Sequence, residues 1–137
     1  FWEDASLFFA STHQMPLYPG TGAKSERGTY GNIVNVPLKP YSNGEAFRAG
    51  MGEQIIPALR DFAPEFLLIS AGFDAHTDDP LAQLNLVEDD YAWATAELLG
   101  VAADVCDGRV VSTLEGGYNL NALANSVAAH VRVMMGI

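Results

Sequence analysis

Apolar residues fall along this chain in two alternating patterns. Short continuous runs lie at Ser6–Ser11, Asn32–Leu38, Phe66–Ile69 and Arg109–Leu114, with the length and composition of buried strands. Longer segments between and after them carry apolar residues at helical spacing. The first follows Ser42-Asn43-Gly44-Glu45, which has capping-box spacing, and would bury Phe47, Met51, Ile55, Leu59 and Phe62. Pro57 interrupts that pattern, and its missing N–H should kink or split the helix. A second helix is expected from Glu88 to Val105. Glu88, Asp89 and Asp90 crowd its first turn, where they complement the helix dipole, and Tyr91, Leu98, Leu99, Ala102 and Val105 form its apolar face. Gly108 breaks the chain. A last helix would turn Leu123, Val127, Val131 and Met134 inward, with His130 placed late enough to favour its dipole.

Strands alternating with helices predict an α/β fold: a parallel sheet with helices on both faces. Pro37 marks the end or the edge of its strand. The loops after Ser11, Ser70 and Leu114 would then share one edge of the sheet, the edge where sites form. The 137 residues suit one domain with a real core, and 49% hydrophobic against 18% charged residues exclude a disordered tail. A net charge of −10 without any basic run argues against nucleic acid or an anionic membrane as direct partner, although it suits a cationic substrate. No apolar run is long enough for a membrane-spanning helix. A single cysteine, Cys106, excludes an intrachain disulfide and reads as a small buried hydrophobe. With no signal peptide visible, the expected compartment is the cytoplasm. The chain opens on Phe1 and runs almost at once into Leu7-Phe8-Phe9-Ala10, so further sequence upstream is expected.

Candidate chemistry gathers after the third apolar run. Asp74, His76, Asp78 and Asp79 follow Ser70-Ala71-Gly72, and Pro80 closes the segment. The plain reading is a polar loop. A metal reading of the same four side chains would favour magnesium or calcium, because carboxylate oxygens are hard ligands. Thr12–Gly22 is an irregular Pro- and Gly-rich loop carrying His13, Met15 and Tyr18, and Lys24–Thr29 is polar. Gly20-Thr21-Gly22 lacks the lysine and the strand-to-helix setting of a phosphate loop.

Four ordered motifs together resemble the zinc-dependent histone deacetylase family, including its bacterial members and the acetylpolyamine amidohydrolases. They are Ser11-Thr12-His13-Gln14 with Tyr18-Pro19-Gly20-Thr21-Gly22; Asn35-Val36-Pro37-Leu38; Ser70 to His76 with Asp79-Pro80-Leu81; and Glu115-Gly116-Gly117-Tyr118-Asn119. The resemblance runs over residues 1–137 and implies the C-terminal portion of an arginase/deacetylase fold, hydrolysing an acetylated amine such as acetyl-lysine or an acetylpolyamine. It implies a zinc ion that polarises the acetyl carbonyl and activates water, with Asp74 as one ligand. It implies Tyr118 as the donor to the oxyanion, and Tyr18, Gly116, Gly117 and Leu81 as walls of a substrate tunnel. It further implies potassium, held by backbone oxygens of Phe1, Asp4, Leu7 and Asn32, with Ser11 and Thr12 belonging to a second potassium site. By the flanking match, His76 is a supporting loop residue and not a ligand. His13 admits a catalytic role in principle, but the ordinary reading is a structural hydrogen-bonding residue at the end of its strand.

The family's Asp-x-His-His-Gly segment and its proton-moving histidine pair do not occur in this sequence. In the family's sheet the missing ligand-bearing strand lies between two strands that are retained here. The chain is therefore expected to be inactive alone. Its expected partners are a missing N-terminal half or further copies of itself, joined by exchanged strands or by a sheet re-paired across the gap. The other reading is a non-catalytic oligomeric or partner-binding remnant of the fold.

Overall fold

A computed structural model describes residues 1–137. Strands β1 (Phe9–Gln14) and β2 (Ile33–Leu38) pair in parallel, from Phe9 opposite Ile33 to Gln14 opposite Leu38. Strands β3 (Leu67–Ala71) and β4 (Val110–Leu114) form a second parallel pair. The two pairs share no strand, so the retained strands do not re-pair with one another. Each strand keeps one hydrogen-bonding edge without a partner strand.

The first helical segment is split as Pro57 requires, and the split takes a specific form. Helix α1 (Gly44–Gly50) runs into a π-helical turn at Met51–Ile55, followed by α2 (Ile56–Phe62). Ile56 N–H reaches back to the Met51 carbonyl, a five-residue step that widens the turn just before the proline. Phe47, Met51, Ile55 and Leu59 are buried as the spacing predicts, and the extra residue in the turn brings Ile56 inward beside them. The cap lies one residue later than expected. Asn43, not Ser42, accepts from Ala46 N at 3.3 Å. Ser42 is held elsewhere, its carbonyl accepting from Asn85 N at 2.9 Å.

Helix α3 (Glu88–Cys106) starts as predicted, and the Asp90 carboxylate accepts from Val87 N at 3.0 Å to cap it. The same carboxylate takes Arg48 Nε at 2.8 Å, tying α1 to α3. Helix α4 (Leu120–Met135) departs from its predicted face. Its fully buried positions are Ala122, Ser126 and His130, whereas Val131 is exposed and Leu123 and Val127 only flank the core. Small side chains let α4 lie close along α3, which pushes the larger apolar residues to the rim of the contact.

His130 is not a dipole partner at a helix end. It is buried between α3 and β4, with Nδ1 at 2.7 Å from Thr95 Oγ1 and Nε2 at 2.9 Å from Ser112 Oγ. Thr95 donates its own hydrogen to the Tyr91 carbonyl, so its oxygen is left to accept from Nδ1–H. Nε2 is then the free lone pair that accepts from Ser112. Burial pushes the His130 pKa down, which keeps the ring in this neutral form.

The strands were expected to be buried. Their interior face is, through Val36 and Leu38 against the helices, but β3 and β4 alternate. Leu68 is 61% exposed, and Phe66, Val111 and Leu114 are open as well. β1 also begins three residues later than its apolar run, leaving Leu7 exposed. No helix is long and apolar enough to cross a membrane.

Candidate functional site

Both strands of the β3–β4 pair end at one place. Glu115 N donates to the Ala71 carbonyl at 3.0 Å and Phe73 N to the Gly116 carbonyl at 2.8 Å, so the two exits run side by side. The pairing brings Asp74 against Gly116. A Cβ on Gly116 would stand 2.6 Å from Asp74 Oδ2, and one on Gly72 would stand 3.0 Å from Oδ1. Only backbone without a side chain admits the carboxylate there. Gly117 is needed for a second reason. Its φ of +142° is one that L side chains rarely adopt, and a Cβ there would stand 2.7 Å from Leu123 Cδ1 and 3.3 Å from Phe73 Cβ.

Asp74 is half-buried and forms no salt bridge with any lysine, arginine or histidine. Burial pushes its pKa up, its own backbone N–H opposes this, and the charge of Asp79 adds to the rise. A cation beside it would reverse that cost, so the carboxylate fits the role of a metal ligand. It would be a single ligand: no three His, Cys, Asp or Glu side chains of this chain converge on one point.

The four-residue magnesium or calcium reading fails on geometry. Asp79 spends its carboxylate on amides, with Oδ1 accepting from Leu81 N at 2.9 Å and Ala82 N at 3.2 Å, and Oδ2 from Tyr118 N at 2.9 Å. His76 is buried, its Nδ1 accepting from Asp78 N at 3.1 Å. Its Nε2 lies 3.6 Å from the Glu88 carboxylate and has no hydrogen-bond partner. His76 is thus a loop-holding residue.

Tyr118 is more than half exposed at the end of this loop, and Leu81 stands exposed nearby on the Asp79 turn. Asn119 caps α4 by accepting from Asn121 N and Ala122 N, both at 3.1 Å, and its Nδ2 donates to the Asp78 carbonyl at 3.2 Å. Segment 81–86 then stitches this site to the first strand pair. Gln83 N donates to Gln14 Oε1 at 2.7 Å, and Tyr41 N donates to the Gln83 carbonyl at 2.6 Å. The structure therefore brings together Asp74, Gly116, Gly117, Tyr118 and Leu81.

Tyr18 is 98% exposed on the Thr12–Gly22 loop, at the rim of an open cleft with Phe1, Phe9 and Glu26. His13 anchors the loop, with Nδ1 at 3.0 Å from Ser11 Oγ and Nε2 at 2.9 Å from the Gly22 carbonyl.

The carbonyls of Phe1, Asp4 and Leu7 converge on Asn32 Nδ2, at 2.9, 3.2 and 3.0 Å. An amide nitrogen carries two hydrogens, so three carbonyl oxygens outnumber its donors. Asn32 Oδ1 is buried beside them with no partner. Its backbone carbonyl accepts from Phe9 N at 2.9 Å. An oxygen-rich cluster short of donors is a fitting place for a weakly hydrated cation. Ser11 and Thr12 lie within β1.

Sequence reasoning missed the roles of two residues. Asp79 serves amides on both sides of the site, and His130 links α3, α4 and β4. Asp79-Pro80 carries a turn signal, but the bond to Tyr118 spans 39 positions and leaves no local pattern.

The family model for the histone deacetylase domain matches residues 1–134. Histone deacetylase 10, chloroplastic, of Oryza sativa subsp. japonica is 44% identical over 139 residues, covering 99% of this chain and 31% of that protein. A probable deacetylase of Archaeoglobus fulgidus is 44% identical over 123 residues, covering 88% of this chain and 34% of that protein. Among solved structures, the HDA15 HD domain superposes with a TM-score of 0.90 at 34% identity, over 99% of this chain and 39% of that one. The chain thus spans about a third of the length of these two curated relatives.

Proposed function

Because this chain belongs to the histone deacetylase domain family, we propose that it forms part of a zinc-dependent deacetylase and supplies Asp74 and Tyr118 to its active site. The observation that carries this reading is the Asp74 carboxylate lying against Gly116, two residues before Tyr118, at the carboxyl ends of two parallel strands. Zinc, when bound, supplies a Lewis acid for the carbonyl of an acetylated amine. Asp74 would be one of its protein ligands, since catalytic zinc sites use three. The Tyr118 phenol would donate to the oxyanion that forms as water adds to the acetyl group. Tyr18, Gly116, Gly117 and Leu81 would wall the tunnel for an acetyl-lysine or acetylpolyamine side chain.

The chain's own histidines leave proton transfer to residues outside it. His13 has both nitrogens engaged, His130 is buried between two hydroxyls, and His76 is closed into its loop. The carbonyl cluster at Phe1, Asp4, Leu7 and Asn32 supports a potassium ion there, and Ser11 with Thr12 would complete part of a second site. The buried free thiol of Cys106 fits a reducing compartment, such as the cytoplasm.

The test is direct. The purified chain alone is expected to give no hydrolysis of an acetyl-lysine reporter, and the chain extended to a full-length deacetylase domain to give zinc-dependent turnover. Turnover by the chain alone would overturn the division of labour; an inert complete domain would overturn the catalytic reading. The second reading, a non-catalytic oligomeric or partner-binding protein, is favoured by the apolar β3–β4 face that carries Phe66, Leu68 and Val111. Zinc content of the complete domain separates the two.

Gly116 provides a sharper probe of the ligand. In the complete domain, Gly116→Ala should push the Asp74 carboxylate aside and weaken zinc affinity on the order of 10-fold or more, as loss of ligand support does. Zinc affinity unchanged in a folded variant would remove Asp74 from the ligand set.

A further inference from the structure

The catalytic reading leaves one question of geometry open: what holds Tyr118 in place. The residues just before it do not. Gly116 and Gly117 precede it, and two residues without side chains leave the backbone free to choose among many conformations. The ring stands more than half exposed, so packing does not fix it. The constraint comes from a carboxylate 39 positions earlier.

We propose that Asp79 is the positioning residue of the site, setting Tyr118 and the Leu81 wall in register through its two carboxylate oxygens; this rests on the catalytic reading of Tyr118. Asp79 is 8% exposed. Oδ2 accepts from Tyr118 N, and Oδ1 accepts from the paired amides of Leu81 and Ala82. One rigid planar group therefore joins the two segments that flank the site. The neighbouring bond from Asn119 Nδ2 to the Asp78 carbonyl ties the same segments one step further on. Hydrogen bonds to a charged acceptor are stronger than neutral ones, and a buried carboxylate keeps its amides ordered because nothing else there can accept from them. Asparagine cannot substitute. It offers one oxygen in place of two, and its NH2 would face an N–H on one side or the other.

The measurement begins with the chain unchanged. Amide exchange followed by NMR should show Tyr118 and Leu81 protected, although both lie in loops; an unprotected Tyr118 amide overturns the proposal. In Asp79→Asn, exchange at Tyr118 should rise by about 10-fold or more, the loss expected for a charge-assisted bond, while β3 and β4 amides keep their rates. A rise shared equally by β4 would mean general destabilisation and would also overturn it. In the complete domain, Asp79→Asn should lower kcat with KM little changed, and should add little to the loss already caused by Tyr118→Phe. Full additivity of the two losses would show that Asp79 does not act through Tyr118. If the complete wild-type domain proves inactive, the catalytic reading falls, and the exchange measurements still decide whether Asp79 holds the loop.

Discussion

In the complete domain, Tyr118→Phe is expected to lower kcat by about 10²–10³-fold, the usual loss of one oxyanion donor. The substitution removes only the phenol oxygen. The exposed ring makes no other interaction that depends on it, and the backbone stays anchored by Asp79. Substrate affinity should change little, because the donor acts on charge that develops only in the transition state. Steady-state kinetics on an acetyl-lysine reporter, with a direct binding measurement on the inactive variant, distinguish the outcomes. Weaker binding at unchanged kcat would make Tyr118 a binding residue.

The second large effect concerns assembly. The chain by itself should self-associate, and Leu68→Lys should shift it toward the monomer. β3 and β4, with Phe66 just ahead of β3, present Phe66, Leu68 and Val111 to solvent on one face, and each strand of both pairs has an open edge. Covering apolar surface is worth roughly 25 cal/mol per Å². A few hundred Å² of exposed sheet therefore rivals the ~5–15 kcal/mol that stabilises a small domain. A charge at Leu68 makes that burial costly without touching the helix-facing side of β3. Sedimentation over a range of concentrations is the test. A wild-type chain that stays a compact monomer throughout, with cooperative unfolding, would show that the open face drives no association.

The same face is also expected to receive the remainder of a deacetylase domain. The fold of this chain superposes on a much larger deacetylase structure with a TM-score of 0.90 while covering 39% of it. On that expectation, self-association and association with such a remainder would compete for one surface. Adding the remainder should therefore dissolve the self-assembly as it restores turnover.

The sequence by itself determined the local features. The stripe Phe47, Met51, Ile55 and Leu59 was legible because helical spacing is a short-range signal, and Pro57 announced the break in it. Glu88 to Asp90 marked the start of α3. The motifs around Asp74 and Tyr118 pointed to the family because each is contiguous in the chain. What only the tertiary structure decided were relations between distant segments. Asp79 looked like one of four clustered ligand candidates until its oxygens were found on the amides of Leu81, Ala82 and Tyr118. His130 looked like a helix-end charge until Thr95 and Ser112 enclosed it. The apolar runs predicted buried strands, but apolarity records what a strand is built to pack against, and in this chain Leu68 and Val111 face solvent. Three carbonyls meeting at Asn32 left no trace in side-chain identity, because backbone oxygens are common to every residue and only the fold can bring them to one point.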